Sequence, residues 1–331
     1  MNNNYNEFKF LFENRKTNNK TLKEIISGII TQNLTSEDKI KIINTILTTE
    51  DKTNEDIDLL FSKFNNIKIN QSPLSTYILL NNKKCKFNLS ANQIINIIYK
   101  TDFSKQDHKQ KILAMHILQN NKEQNLNLSP EQIMSVIEKS NMTLKDEYGY
   151  TLALHVLTYN KDQNLNLSPN QIMSVMEKSN LLTQNKYKIT IPMTILNYNK
   201  YCGINLSPNQ IMSIIEKSDL STQNADGWTV PIFLLACNKD ENLNLSSEQI
   251  ISIIKKIDLS TTNDTIINGF FSNLGEQFEM TENQIYEISK IFSKIKEINY
   301  ENKIKINNIL LHHNIQKKLQ KEHIPKNTTK I

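Results

Sequence analysis

LSPNQIMS occurs at Leu167–Ser174 and again at Leu206–Ser213, and LSPEQIMS occurs at Leu128–Ser135. The leucines that open the phrase are Leu89, Leu128, Leu167, Leu206 and Leu245, each 39 residues after the last (128−89, 167−128, 206−167, 245−206). A looser version, MTENQI, begins at Met280, 35 residues further on (280−245). The dipeptide Asn-Lys keeps the same beat, at Asn82, Asn121, Asn160, Asn199 and Asn238. Two unrelated markers in one register define an internal repeat, and a fixed period of this length belongs to architectures of stacked supersecondary units.

Each phrase reads as the start of a helix. Ser168 is placed as N-cap and Pro169 at N1, where the missing N–H is harmless. Gln171 at N3 can reach back to the cap amide and close a capping box. Leu167 and Ile172 flank the cap as a hydrophobic staple. The same pairing is expected at Ser90/Gln93, Ser129/Gln132, Ser207/Gln210, Ser246/Gln249 and Thr281/Gln284. Downstream, Ile172, Met173, Val175 and Met176 give the helix one apolar face, with Glu177 and Lys178 towards solvent.

A second helix lies in the other half of each unit, for example TLALHVLTYNK at Thr151–Lys161. Its apolar column is Met115, Leu154, Met193 and Ile232, and Asn160 and its equivalents stand where a left-handed C′ residue is expected. Pro192 and Pro231 fit if they lie in a first helical turn. One helix pair cannot bury its apolar face alone, whereas stacked pairs can. The expected fold is therefore all-α, a helical-repeat solenoid. The expected organisation is an N-terminal helical cap over 1–48, about five 39-residue helix pairs over 49–273, and a C-terminal degenerate repeat and cap over 274–331. The tail from Ile324 onward is expected to be disordered.

Composition narrows the function. Arg15 is the only arginine among 39 basic residues, and the abundance of Lys, Asn and Ile points to an AT-rich genome. Bidentate guanine and phosphate recognition relies on arginine, and a net charge of +5 over 331 residues is small, so no specific nucleic-acid binding is indicated. Three scattered cysteines suit a reducing compartment. MNNNYNEFKFLFENRK has no apolar stretch of a secretory signal, and IISGII at Ile25–Ile30 is far short of the ~20 residues of a membrane span. The expected location is the cytoplasm, or a host cell reached by a non-classical export route.

The segment NADGWTVPIFLLACNK, Asn224–Lys239, resembles the opening of an ankyrin repeat, with Asp226-Gly227-x-Thr229 before a short apolar helix. Gly149-Tyr150-Thr151 repeats the element. The resemblance covers roughly Thr53–Phe270 and implies a concave surface of inner helices and turn tips that binds a protein. The chain departs from the family in four ways, one being that the unit at Gln106–Lys111 lacks the glycine altogether. Its period is 39, with the excess in the NLNLS loop; proline follows threonine by two positions; and His116 and His155 lie off the family's histidine column.

No metal-ligand cluster, nucleophile elbow or phosphate-cradling glycine loop is present, so neither a cofactor nor a metal is expected. What varies between repeats is the turn tip. Asp107, His108, Asp146, Tyr148, Tyr187, Asp226 and Trp228 are therefore the candidate partner-binding residues, because variable aromatics and charges on a rigid scaffold make good contacts. The expectation is a non-enzymatic scaffold for a protein partner, by analogy an effector or adaptor of an intracellular bacterium. The alternative is a toxin or enzyme acting through the non-repeat ends, with the repeats as targeting module.

Overall fold

The computed structural model describes residues 4–29, 34–64, 67–69, 72–258 and 264–322. The tail from Ile324 lies outside them. The described residues are mostly helical, with seventeen helices and one two-stranded antiparallel pair, Lys68–Ile69 with Ser72–Pro73. The chain separates into two compact units, residues 1–179 and 180–331.

In the first unit, α1 (Asn4–Glu13), α2 (Leu22–Ile29), α3 (Ser36–Thr48) and α4 (Asn54–Phe64) precede the helix pairs. The pairs are α5 (Leu74–Leu80) with α6 (Ala91–Tyr99), α7 (Leu113–Asn120) with α8 (Pro130–Glu138), and α9 (Leu152–Tyr159) with α10 (Pro169–Glu177). The second unit continues with α11 (Ile191–Tyr198) and α12 (Pro208–Ile215), then α13 (Val230–Cys237) and α14 (Ser247–Ile254). It ends with α15 (Asp264–Asn273), α16 (Glu282–Phe292) and the long α17 (Tyr300–Glu322). Within each unit, contacts are sequential and alternate. Helix α1 packs on α3, α2 on α4, α4 on α6, α5 on α7 and α7 on α9. Likewise α11 packs on α13, α13 on α15, α14 on α16 and α15 on α17. This is an all-α helical-repeat arrangement in which the first helix of a pair meets its counterpart in the next pair of the same unit.

The helix starts follow the expected device. All six boxes are closed; in the Ser168 copy the cap amide donates to Gln171 Oε1 at 2.9 Å and the Gln171 amide donates to Ser168 Oγ at 3.3 Å. Pro192 and Pro231 lie in the first turns of α11 and α13. Ile172, Val175 and Met176 are buried, while Met173 is only half-buried. The first helices are apolar on nearly every side, and Met115, Leu154, Met193 and Ile232 are all core residues.

The asparagine of each Asn-Lys pair is not a left-handed cap. Asn121, Asn160, Asn199 and Asn238 are right-handed, with φ between −52° and −55°. They are buried because they hold the loop. Asn121 Oδ1 accepts the Leu128 amide at 3.0 Å, and its Nδ2 donates to the Gln163 carbonyl of the next pair at 3.2 Å. Asn238 repeats this with Leu245 (2.9 Å) and Gln277 (3.1 Å). In the loops between paired helices the left-handed residues include the asparagines of NLNL, Asn125, Asn127, Asn164, Asn166, Asn205, Asn242 and Asn244, with Gly203 replacing one of them and Lys86 with Asn88 in the first loop. Asparagine tolerates this region better than other side-chain-bearing residues. The two left-handed turns direct the alternate leucines, Leu126 and Leu128 or Leu165 and Leu167, into the core.

These roles predict a ranking. Asn121→Ala strands the buried Leu128 amide and Gln163 carbonyl and is expected to cost about 2–4 kcal/mol. Ser168→Ala loses one solvent-accessible cap bond and is expected to cost roughly 0.5–2 kcal/mol without changing the fold. Urea denaturation of both variants, with circular dichroism, measures the order.

Candidate functional site

The tips lie between one pair's second helix and the next pair's first. In the first unit, each is a short hairpin closed by a bridge, Gln106 to Ile112 and Lys145 to Thr151. An aspartate organises it. Asp107 Oδ1 accepts the amides of Lys109 (2.8 Å) and Lys111 (2.9 Å), and Oδ2 meets His116 Nε2 at 2.8 Å. Asp146 Oδ1 accepts the amides of Tyr148 and Tyr150, both at 2.9 Å, and Oδ2 meets His155 Nε2 at 3.2 Å. In the second unit an asparagine does the same. Asn185 Oδ1 accepts Tyr187 (2.9 Å) and Ile189 (3.0 Å), and Asn224 Oδ1 accepts Asp226 (3.0 Å) and Trp228 (2.8 Å).

The residue nine positions further on decides between acid and amide. It is His116 after Asp107 and His155 after Asp146, but Thr194 after Asn185 and Phe233 after Asn224. A carboxylate has one more acceptor oxygen than the turn amides need, and burying it without a donor is costly. The imidazole supplies that donor. Where helix packing replaces it by Thr or Phe, the neutral amide keeps the turn and removes the charge.

The electrostatics follow. Burial raises the Asp107 carboxyl, but the His116 bond and charge and the Lys111 and Lys109 amides outweigh it and hold it at about 2. Asp146 is likewise lowered: burial opposes, while His155 and the Tyr150 and Tyr148 amides prevail. His155 goes the other way from a surface histidine. Burial pulls its imidazole below the usual value more strongly than Asp146 raises it. We therefore assign a neutral ring donating from Nε2, which leaves Nδ1 as a buried acceptor with no hydrogen-bond partner. The ring lies between Tyr150 (5.8 Å) and Tyr159 (5.7 Å).

This separates the seven candidates. The side chains of Asp107 and Asp146 are only 3% and 2% exposed and are engaged in holding the turn. His108, Tyr148, Tyr187, Asp226 and Trp228 face solvent, with Tyr148 44%, Tyr187 49% and Trp228 37% exposed. In the first unit, His108 and Tyr148 sit on adjacent tips, registered by the Glu147 amide donating to the Lys109 carbonyl at 3.0 Å. In the second unit, Tyr187 and Trp228 are on adjacent tips, registered by the Ala225 amide donating to the Tyr187 carbonyl at 3.0 Å. Trp228 also meets Phe233 edge-on at 5.2 Å. Sequence reasoning missed the Asp–His pairs. Their signal was two columns nine residues apart that change together.

Among the described residues no group of three or more His, Cys, Asp or Glu side chains could hold a metal ion, and no helix is long and apolar enough to cross a membrane. A polar cavity of about 630 Å³ lies between the starts of α2 and α4. Both starts are already capped by carboxylates, Glu24 on the Thr21 amide and Asp56 on the Thr53 amide, each at 2.8 Å. Arg15 there is bound by Asp51 at 2.9 Å.

Two measurements test the tip chemistry. An unfolded imidazole titrates near 6.5 and the folded His155 lies lower, so the unfolded chain binds more protons below that value. Its stabilising contribution is complete above 6.5 and is lost as pH falls; the Asp146 contribution is lost only below 3.8. Asp146→Asn with His155→Thr copies the Asn185/Thr194 pairing. It is expected to flatten the fall in stability between about pH 7.5 and about pH 5, followed by urea denaturation. The second test concerns Lys188, which holds φ +59° at the position of Gly227 (φ +80°). Lys188→Gly is expected to stabilise by about 0.5–1 kcal/mol. Gly227→Ala, which meets no neighbouring atom, should cost about 1–2 kcal/mol through its backbone alone. No protein-family model matches the chain and no curated protein matches it significantly, so the surface is read from its own geometry.

Proposed function

We propose that the chain is a non-enzymatic, ankyrin-like repeat protein. In each unit the helix pairs stack as a solenoid and hold a protein partner against the tips and first helices. The observation that carries this reading is the contrast within each tip. The groups that fix its backbone are repeated: an Asp or Asn side-chain oxygen accepting two amides, and a backbone hydrogen bond from tip to tip. The groups that project from it are exposed and different, among them Tyr148, Tyr187 and Trp228. Aromatics on a pre-organised loop bind with little further loss of conformational freedom. They also concentrate binding energy in a few contacts. Lysine and histidine beside them add selectivity for a partner's charge pattern.

The test combines Tyr148→Ala, Tyr187→Ala and Trp228→Ala. A partner captured by the parent chain from cell lysates, then purified, is expected to lose roughly tenfold or more in affinity for the triple variant. Circular dichroism establishes that the variant is folded, and Phe10→Ala, an exposed aromatic away from the tips, serves as control. Full-strength binding by the folded triple variant refutes the tip surface.

A further inference from the structure

The last helix carries a surface that the repeat does not use. Helix α17 has 23 residues, a rod of about 35 Å, against 11 residues and about 16 Å for α16. Its first half is anchored. Asn302 Nδ2 donates to Asp264 Oδ1 (2.9 Å) and Asn268 Oδ1 (2.8 Å), Ile306 is buried, and the His313 ring stacks on Tyr286 at 3.9 Å. Beyond His313, every described side chain from Asn314 to Leu319 is exposed. An isolated stretch of that length is marginal as a helix in water.

The opposite face of α17 is apolar and uncovered. Ile304, Leu311, Ile315 and Leu319 are 41%, 59%, 46% and 47% exposed. Their spacing, with Asn308 between the first two, places all five on one stripe. The stripe runs into a groove of about 340 Å³ beside α16, in which Asn308 and Ile309 face Ile285 and Glu282. Stripe and groove share Asn308 and form one surface. Its dimensions suit an amphipathic helix laid along α17, the helix-in-groove mode. Charge selects the kind of helix. Lys303 and Lys318 border the stripe on one side with no acid between them, and Lys317 stands nearby. Among the described residues no salt bridge engages these three, whereas Lys305 is held by Glu301 at 3.2 Å. An antiparallel second copy of α17 would bring this lysine flank against its own copy, which disfavours that self-pairing.

We propose that α17 docks an amphipathic helix of a partner protein whose apolar seam is flanked by Asp or Glu. The site is independent of the loop tips. Docking extends the alternate helix packing by one further helix and covers the projecting half of α17. The lysine row fixes orientation and favours acidic partners over neutral ones.

The probes are two synthetic 21-residue peptides (~six turns) with the same Leu/Ile seam, one flanked by Glu and one by Lys. Binding to the full chain is followed by fluorescence anisotropy at low and moderate salt. The Glu peptide is expected to bind at least ~tenfold tighter than the Lys peptide, and to weaken as salt rises. Leu311→Asn with Ile315→Asn, both on the exposed face, is expected to remove roughly tenfold or more of that affinity, with unchanged circular dichroism and melting. Equal binding of both peptides, or binding that survives the double substitution, overturns the proposal. So does stripe-dependent dimerisation in sedimentation. Stripe-dependent binding to phosphatidylserine vesicles without peptide selectivity overturns it as well, because it assigns the face to a lipid surface.

Discussion

One buried asparagine per repeat carries the connections on which the other elements depend. Asn121 and its equivalents close the first helix and accept two loop amides on the backbone carbonyl, for Asn121 those of Leu126 (2.9 Å) and Asn127 (3.2 Å). The side chain then fixes the amide of the leucine before the next cap and reaches a carbonyl in the following pair. The following pair answers. Gln163 Oε1 accepts the Lys122 and Glu123 amides, Gln277 those of Lys239 and Asp240, and Glu241 those of Lys200 and Tyr201. Backbone groups at a helix end need partners when they are buried. Here those partners come from the neighbouring pair, so satisfying one helix end also sets the register of the next. The capping boxes act later in this order. They choose the first residue of each second helix, while the asparagine decides where that helix is delivered.

The tips obey the same accounting with a different outcome. A turn that needs one acceptor for two amides is served equally by Asp and Asn. The charge is kept only where His116 or His155 stands ready to donate. The substitution of both columns together, Asp with His and Asn with Thr or Phe, shows that the geometry of the turn is required and its charge is not. His155 adds a particular constraint. Buried beside two tyrosines, its imidazole holds a proton less readily than an exposed one, because burial outweighs the attraction of Asp146.

Much of this was legible in the sequence, because repeats provide their own comparison. Period, cap, N1 proline and apolar columns all follow from positions that recur. What was not legible has two physical causes. The side-chain roles of Asn160 and Asp146 depend on where amides from other segments arrive, and a residue-type rule for helix ends cannot know that. Asn-Lys therefore read as a left-handed cap, while the left-handed positions belonged to NLNL. The second cause is disguise. Thr21/Glu24, Thr35/Asp38 and Thr53/Asp56 start α2, α3 and α4 with the same Thr-to-N3 bonding as the repeats. Carboxylates replace the glutamine, and a search for LSPNQ passes over them.

Acid at N3 in the N-terminal helices and glutamine in the repeats is not an arbitrary difference. A carboxylate at a helix start gains from the helix dipole and from a charge-assisted bond. Repeated at all six boxes, however, such carboxylates would add six negative charges at the helix starts. Glutamine gives the same two bonds without that charge. The lysine–glutamate pairs at the other end of the second helices alternate in sign instead, Lys178 with Glu138 at 3.5 Å and Lys256 with Glu216 at 3.3 Å. Each such exposed pair contributes little on its own. In these two pairs a charge repeated at one position is matched by an opposite charge one pair away. At the tips, the exposed positions do not repeat. His108, Glu147, Lys186 and Ala225 occupy one column with four different characters. Register between adjacent tips is held there by backbone bonds, Glu147 to Lys109 in the first unit and Ala225 to Tyr187 in the second, and that leaves the side chains of this column open to be shaped by something outside the fold.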